Sequence, residues 1–165
     1  MTPPLKATIV TVSDEIASGI DLDRAGPLAE ELLTTFGVVA SRTVVRDDAD
    51  QLTAAIFSAA ESGSRFVLTC GGTGVGPNDQ TSDVVARLLS FEIPGITEEI
   101  RRRGLEHAAP ALVSREIAGV ISPESGPRVF VLCAPGSRGG VRDAIGVVGP
   151  MLGYIVEQLD GKGHA

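Results

Sequence analysis

Histidine is scarce in this chain of 165 residues: there are two, His107 and His164, and the second stands in the closing Gly-Lys-Gly-His-Ala. A Ser-His-Asp mechanism or a histidine-rich zinc site is hard to build from so few imidazoles, so acid–base or metal work falls to carboxylates. Cysteine is equally short, with only Cys70 and Cys133, each ending an apolar run. Two such thiols read as small buried hydrophobes rather than a functional disulfide. Positive charge is in deficit too. Fourteen Lys and Arg against 21 Asp and Glu leave a formal net charge of −7, which speaks against non-specific nucleic-acid binding, since that relies on a basic field. Anionic ligands would then need local cations or a metal. No apolar run is long enough to span a bilayer, and the opening Met-Thr-Pro-Pro-Leu-Lys has no core of signal-peptide length. The expected location is cytoplasmic, with neither a membrane nor a nucleic acid as partner.

What is present describes an ordinary globule. Hydrophobic residues make up 43% and charged residues 21%, and 20 glycines with 4% aromatics fit an α/β protein with many tight turns. The length suits one domain, able to bury about 70% of its unfolded surface without a staple.

The stretch from Arg65 to Asp83 is the most informative. A β-branched and apolar run, Phe66 to Cys70, breaks into four glycines within six residues, and an amphipathic pattern follows from Thr81. This reads as a strand, a glycine loop and a helix start, where unpaired N–H groups suit a phosphate or another anion. Gly71 and Gly76 have P-loop spacing, but Pro77-Asn78 stands where Lys and Ser/Thr are needed. A dinucleotide fingerprint fails as well, because its third glycine would be Pro77. Asp79 is out of place beside a bound phosphate, which would repel it by roughly 4 kcal/mol at about 4 Å and an effective dielectric of about 20. Either a cation sits between them or Asp79 only caps the helix.

In chain order, Lys6 to Val12 reads as a buried strand ending in Ser13-Asp14, Ile16 to Gly26 as a loop, and Pro27 to Phe36 as a helix. Val38 to Val45 is a second strand. Arg46-Asp47-Asp48 then opens a helix with Leu52, Ile56 and Phe57 on its apolar face, where acidic residues taken alone mean ordinary capping. Thr81 to Phe91 and Ile96 to His107 read as helices. The three arginines 101–103 of the latter fan around its axis, as expected of a solvated face. Ala108 to Ser114 is ambiguous. Ile117 to Ile121 and Val129 to Cys133 read as a hairpin, and Val141 to Leu159 as a helix broken near Gly146, Gly149-Pro150 and Gly153. Alternating strands and helices imply a mainly parallel sheet covered on both faces, with its ligand site beyond the carboxyl ends of the strands. Ser13-Asp14, Asp47, the Gly71 to Asp79 loop and Pro135-Gly136-Ser137 should share that rim.

Several of these segments together resemble a known family. Thr11-Val12-Ser13-Asp14, Asp23 to Gly26, Arg46-Asp47-Asp48, Thr69-Cys70-Gly71-Gly72-Thr73-Gly74, Asn78-Asp79-Gln80-Thr81, Ser114-Arg115 through Gly119 and Pro135-Gly136-Ser137 are similar to the molybdopterin-binding family of MoaB and Mog proteins. That domain also occurs in gephyrin, in molybdenum-insertion proteins and in the competence-damage protein CinA. The resemblance covers nearly the whole chain. It implies a single domain over residues 1–165, with 1–5 and 160–165 as flexible tails, and a three-layer α/β/α sandwich whose mostly parallel sheet carries an antiparallel hairpin. It further implies a homotrimer or a trimer-based hexamer that binds molybdopterin, a pterin with one phosphate, and adenylylates it with Mg-ATP.

By position, Asp47 and Asp79 match the family's functional aspartates, with Mg²⁺ as the implied metal. Gly71, Gly72, Thr73, Gly74, Thr81, Ser114, Arg115, Pro135, Gly136 and Ser137 match its pterin and phosphate loops, and Ser13, Asp14, Asn78 and Arg138 are additional candidates. Three positions depart from the family pattern: Asn78 where Arg is frequent, Ser82 where Pro is common, and Arg138-Gly139-Gly140 after Pro-Gly-Ser. Arg138 or Arg142 could supply the cation missing at position 78. The alternatives to adenylyl transfer are a non-catalytic pterin carrier or scaffold, and the molybdate-insertion step itself; a molybdenum-insertion protein is the implied partner.

Overall fold

The computed structural model describes residues 2–162 and shows the expected three layers around one six-stranded sheet. In chain order the strands are β1 (Lys6–Val12), β2 (Val39–Val45), β3 (Phe66–Cys70), β4 (Phe91–Glu92), β5 (Ile117–Ile121) and β6 (Val129–Ala134). The helices are α1 (Asp14–Ala17), α2 (Ala25–Thr34), α3 (Ala49–Glu61), α4 (Thr81–Leu88), α5 (Pro94–Leu105), α6 (Arg138–Val148) and α7 (Leu152–Leu159). Spatial strand order is β2-β1-β3-β6-β5-β4. The first four are parallel, and β5 runs antiparallel to β6 as the hairpin reading requires. Among the described residues no helix is long and apolar enough to cross a membrane.

The period-2 alternation of the strands divides the core into two. Ile9, Phe66, Leu68, Phe130 and Leu132 face one side, where α2, α5, α6 and α7 cover them through residues such as Leu33, Ile100, Ile145 and Leu152. Val10, Val67 and Val131 face the other, under Leu52 and Ile56 of α3 and Val84 and Val85 of α4. Each such buried aliphatic side chain stabilises by roughly 1.5–3 kcal/mol relative to exposure. Phe66 and Phe130 are paired across β3 and β6, with stacked rings 5.3 Å apart, which adds about 1 kcal/mol. Cys70 and Cys133 lie in different halves of this core, on opposite faces of the sheet, so they cannot bond to each other. Burial pushes both thiols up to about 12, as expected of inert packing residues.

Several boundaries differ from the sequence reading. The helix expected to reach Phe91 stops at Leu88, because Leu89 is extended and Ser90 donates to the Val120 carbonyl. Phe91 and Glu92 then pair with Val120 and Gly119 as an outer strand, a tertiary ladder overriding local helical periodicity. Gly119 permits this: a Cβ there would overlap the Phe91 carbonyl and lie 2.6 Å from Leu89 Cδ1. The segment expected as loop contains the short α1, capped by Ser13, and α2 starts at Ala25 rather than Pro27, with Asp23 accepting from the Gly26 N–H. Ala109–Val113 forms a 3-10 turn, and a second 3-10 turn, Gly149–Met151, separates α6 from α7. Two residues inside the expected tails are held in place. Leu5 packs against the core, and Asp160 pairs with Arg65 at 2.7 Å. His164 lies outside the described residues.

Gly119→Ala is expected to detach β4 and lower the unfolding free energy by roughly 1–3 kcal/mol, as overpacking does. Urea denaturation of the variant against the wild type measures it.

Candidate functional site

Because β1, β2, β3 and β6 are parallel and in register, the turns after them emerge at one rim. The glycine loop after β3 needs glycine there for stated reasons. Gly71 and Gly72 have φ of +107° and +71°, which other residues rarely adopt. A Cβ on Gly71 would stand 2.5 Å from the Val12 carbonyl, and one on Gly72 would collide with Thr81 Oγ1.

Arg115 holds this loop. Its Nε donates to the Gly74 carbonyl (2.8 Å) and its Nη2 to the Asp79 carbonyl (2.9 Å), while Nη1 pairs with Asp83 at 3.0 Å. Its main-chain N–H donates to Thr73, and Ser82 Oγ donates to its carbonyl. Arg115 is therefore a positioning residue for the loop.

The two alternatives for the aspartates separate clearly. Asp48 is the cap of α3, accepting from the Gln51 N–H, whereas Asp47 is not. Asp47 is fixed through its main chain: its N–H donates to Asp14 Oδ1 (3.0 Å) and its carbonyl accepts from Gln80 Nε2 (2.8 Å). Its Oδ1 is buried with no partner among the described residues. Burial first, then the charges of Asp14, Asp79 and Glu15, push its carboxyl above the ordinary range. Asp79 does not cap α4, whose first flanking residue is Gln80. The Asp79 carboxylate turns back to accept from the Gly76 N–H at 2.9 Å. Neither aspartate caps a helix, and with Asp14 and Glu15 they place several negative charges at this rim.

Two cavities open at the rim. The larger, about 750 Å³, is floored by Gly72–Gly74 and Asp79 and walled by α5, the first 3-10 turn, Ser114 and the start of α6. The smaller, about 420 Å³, takes in Thr11, Ser13, Leu22, Arg24 and Arg138. Gly136 and Ser137 line both, with Pro135 on the larger side only. Ser137 also caps α6 by accepting from the Gly140 N–H. Ser114 Oγ and Thr81 Oγ1 are buried and without partners among the described residues. Asp14 is exposed. Asn78 is exposed at the loop tip and lines neither cavity.

The sequence reading missed four residues here: Gln80, Arg101, Glu116 and Asp143. Of the arginines taken for a solvated face, Arg102 and Arg103 do pair with acidic residues on their own helix. Arg101 instead turns inward, with Nε donating to the Ser114 carbonyl (3.0 Å) and Nη2 to that of Glu116 (2.8 Å). Glu116 is 7% exposed, its Oε2 has no partner among the described residues, and burial pushes its carboxyl up to about 7, with Arg101 opposing and Asp143 adding to the rise. The available signal was the hairpin: β5 is antiparallel, so the residues before it return to the same rim.

Residues 8–154 match the family described as "Probable molybdopterin binding domain". The chain is 33% identical over 161 residues to the molybdenum cofactor biosynthesis bifunctional protein of Chlorobaculum tepidum, covering 97% of this chain and 50% of that one. It thus spans about half the length of such bifunctional relatives. It is 31% identical to a molybdopterin adenylyltransferase of Pyrococcus furiosus, over 92% of this chain and 89% of the other. Among solved structures, a molybdopterin biosynthesis protein from Mycobacterium abscessus superposes with a TM-score of 0.86 at 37% identity, covering 96% and 98% of the two chains.

Glu116 ionises at about 4.5 when unfolded and at about 7 in the fold, so its contribution is complete below 4.5 and is lost as pH rises through 7. Glu116→Gln should therefore raise the melting temperature relative to wild type more at pH 8 than at pH 5, which thermal unfolding at the two pH values tests.

Proposed function

The chain belongs to the molybdopterin-binding domain family, and on that premise we propose that it is a molybdopterin adenylyltransferase, joining the adenylyl group of ATP to the molybdopterin phosphate and releasing pyrophosphate. One observation carries the reading. Three buried polar atoms without partners among the described residues lie beside the glycine loop: Asp47 Oδ1 and Thr81 Oγ1 next to Gly72, behind the cavities rather than lining them, and Ser114 Oγ on the wall of the larger cavity. Burying such atoms unsatisfied costs about 1–3 kcal/mol each, an outlay that ligands would offset. The name of the Pyrococcus furiosus relative points the same way.

In this reading the pterin lies in the larger cavity with its phosphate on the amides of Gly72 to Gly74. ATP enters the smaller one, and its phosphates cross at Gly136 and Ser137. A molybdopterin phosphate oxygen attacks the α-phosphorus, and the bond to pyrophosphate breaks. Arg115 keeps the loop amides aimed before substrate arrives, so little reorganisation is left for the reaction itself. The residues fit a magnesium ion. Asp47 has an oxygen without a partner among the described residues, and its carboxyl is raised first by burial and then by the charges of Asp14, Asp79 and Glu15. Among the described residues no three His, Cys, Asp or Glu side chains form a cage, so the ion would be held by Asp47 and Asp79 and take its other ligands from phosphate and water. When bound, it would neutralise charge on the ATP phosphates.

Incubation with molybdopterin and Mg-ATP should yield adenylylated molybdopterin and pyrophosphate. Asp79→Asn and Asp47→Asn should each slow the transfer by about a hundredfold or more; variants as fast as the wild type would reject both roles. A non-catalytic carrier is the second reading, favoured by Asn78, which brings no cation to either cavity. Tight molybdopterin binding by folded protein with no product would select it.

A further inference from the structure

The larger cavity holds a group that adenylyl transfer does not use. Glu116 lines this cavity just ahead of β5, buried but for 7% of its surface, and its Oε2 has no hydrogen-bond partner among the described residues. The nearest cation is committed elsewhere: Arg101 gives Nε and Nη2 to main-chain carbonyls, of Ser114 and of Glu116 itself, rather than to the carboxylate. Asp143, on the facing helix α6, adds negative charge. A buried carboxylate with no donors is a liability to the fold, and such groups concentrate at ligand sites. Its complement is a pair of parallel N–H donors, which a carboxylate accepts side by side as it accepts a guanidinium. A pterin carries such a pair in the N3–H and 2-amino group of its 2-amino-4-oxopyrimidine ring. Ile100, Ala111, Val113 and Pro135 supply apolar wall for a flat ring in the same cavity.

We propose that Glu116 is the specificity-determining residue of the larger cavity, its carboxylate accepting both hydrogen bonds from the donor edge of a 2-amino-4-oxopyrimidine ring. This rests on the pterin reading above and adds to it the residue that recognises the ring. The accepting form is the carboxylate, so binding strengthens as pH rises through about 7, where burial has moved this acid. The charged and titratable groups around it are Arg101 on α5, Asp143 on α6 and Cys133 on β6, with His107, Arg142 and Asp79 elsewhere on the cavity wall. Burial keeps the Cys133 thiol neutral across this range.

Guanine presents the same donor edge, so the test separates the two sources. Calorimetric titration of wild type and Glu116→Gln would use three probes: 6-hydroxymethylpterin monophosphate, its 2-oxo counterpart (a lumazine), and GMP, each at pH 6 and pH 8. The wild type should bind the pterin about tenfold to a hundredfold more tightly than the lumazine, the scale of a charged hydrogen-bond pair. Glu116→Gln, nearly the same in shape, should shrink that preference to about threefold or less and keep only the gain in affinity between pH 6 and pH 8 that the ligand phosphate supplies. A merely structural Glu116 would move neither readout.

Equal binding of pterin and lumazine by the wild type, or an undiminished preference in Glu116→Gln, overturns the assignment of Glu116. With adenylyl transfer to molybdopterin intact in the same samples, that result leaves the proposed function standing. Binding of no probe by the wild type overturns both, and GMP binding more tightly than the pterin, with the same dependence on Glu116, keeps the edge recognition and overturns the pterin as its ligand.

Discussion

The close passage of the glycine loop over the end of β1 is the constraint on which the rim depends. Gly71 lies so near the Val12 carbonyl that a methyl group would stand 2.5 Å from it, and a Cβ on Gly136 would touch Gly71 at 3.4 Å. Three backbone segments, from the ends of β1, β3 and β6, therefore meet without side chains between them. The level register of those strands, Thr11 beside Cys70 and Cys70 beside Ala134, brings their ends together in the first place. Gly136 and Ser137 are shared by the walls of both cavities, so in the proposed reading the two ligands meet there.

A loop with two residues at positive φ is costly in entropy, and glycine-rich segments are the ones most readily lost to motion. Arg115 counters this by binding two loop carbonyls and Asp83 with one guanidinium, while its main chain is tied to Thr73 and Ser82. Bonds to charged donors are worth about 1.5–3 kcal/mol each where they are sheltered from water. The carbonyls are consumed in this way, and what the loop offers to a ligand is its N–H groups. Packing and chemistry meet in that one residue: in the proposed reading, the geometry that holds the loop also suits it to an anion.

Electrostatics at the rim is otherwise adverse. Asp14, Asp47 and Asp79 accumulate negative charge at one end of a chain already at −7, and Glu116 is buried with no donor to its Oε2 among the described residues. Half-buried Asp47 and buried Glu116 are both raised mainly by desolvation, yet their surroundings differ. The charges that raise Asp47 are those of Asp14, Asp79 and Glu15, all acidic, which in the proposed reading favours a metal. Glu116 has Arg101 nearby to temper it, which favours a neutral ligand edge rich in N–H donors. In the proposed reading, two carboxylates with different neighbours sort the rim into a charged and a neutral recognition zone.

Much of this was legible in the linear chain. Apolar alternation and helical spacing marked the parallel strands and their helices, and the hairpin at Ile117–Ile121 and Val129–Ala134 was readable from its turn. Glycines clustered after Phe66–Cys70 marked the loop, since few other sequences can turn so sharply. Adjacent residues of like type were a different matter. Asp47 and Asp48 both precede α3, and only the contacts of Asp14 and Gln80 with the Asp47 main chain leave its carboxyl free while Asp48 caps. Arg101, Arg102 and Arg103 fan around one helix, and only the docking of α5 against Ser114 and Glu116 turned the first inward. The two-residue strand β4 exists because Gly119 leaves room for the Phe91 carbonyl, a contact between residues 28 apart in sequence. Sequence alone determined the parallel strands, their main helices and the hairpin, and which turns share a rim, because periodicity and backbone sterics are local. Tertiary structure decided which side chains face the cavities, because that depends on how the elements rotate against one another as they pack.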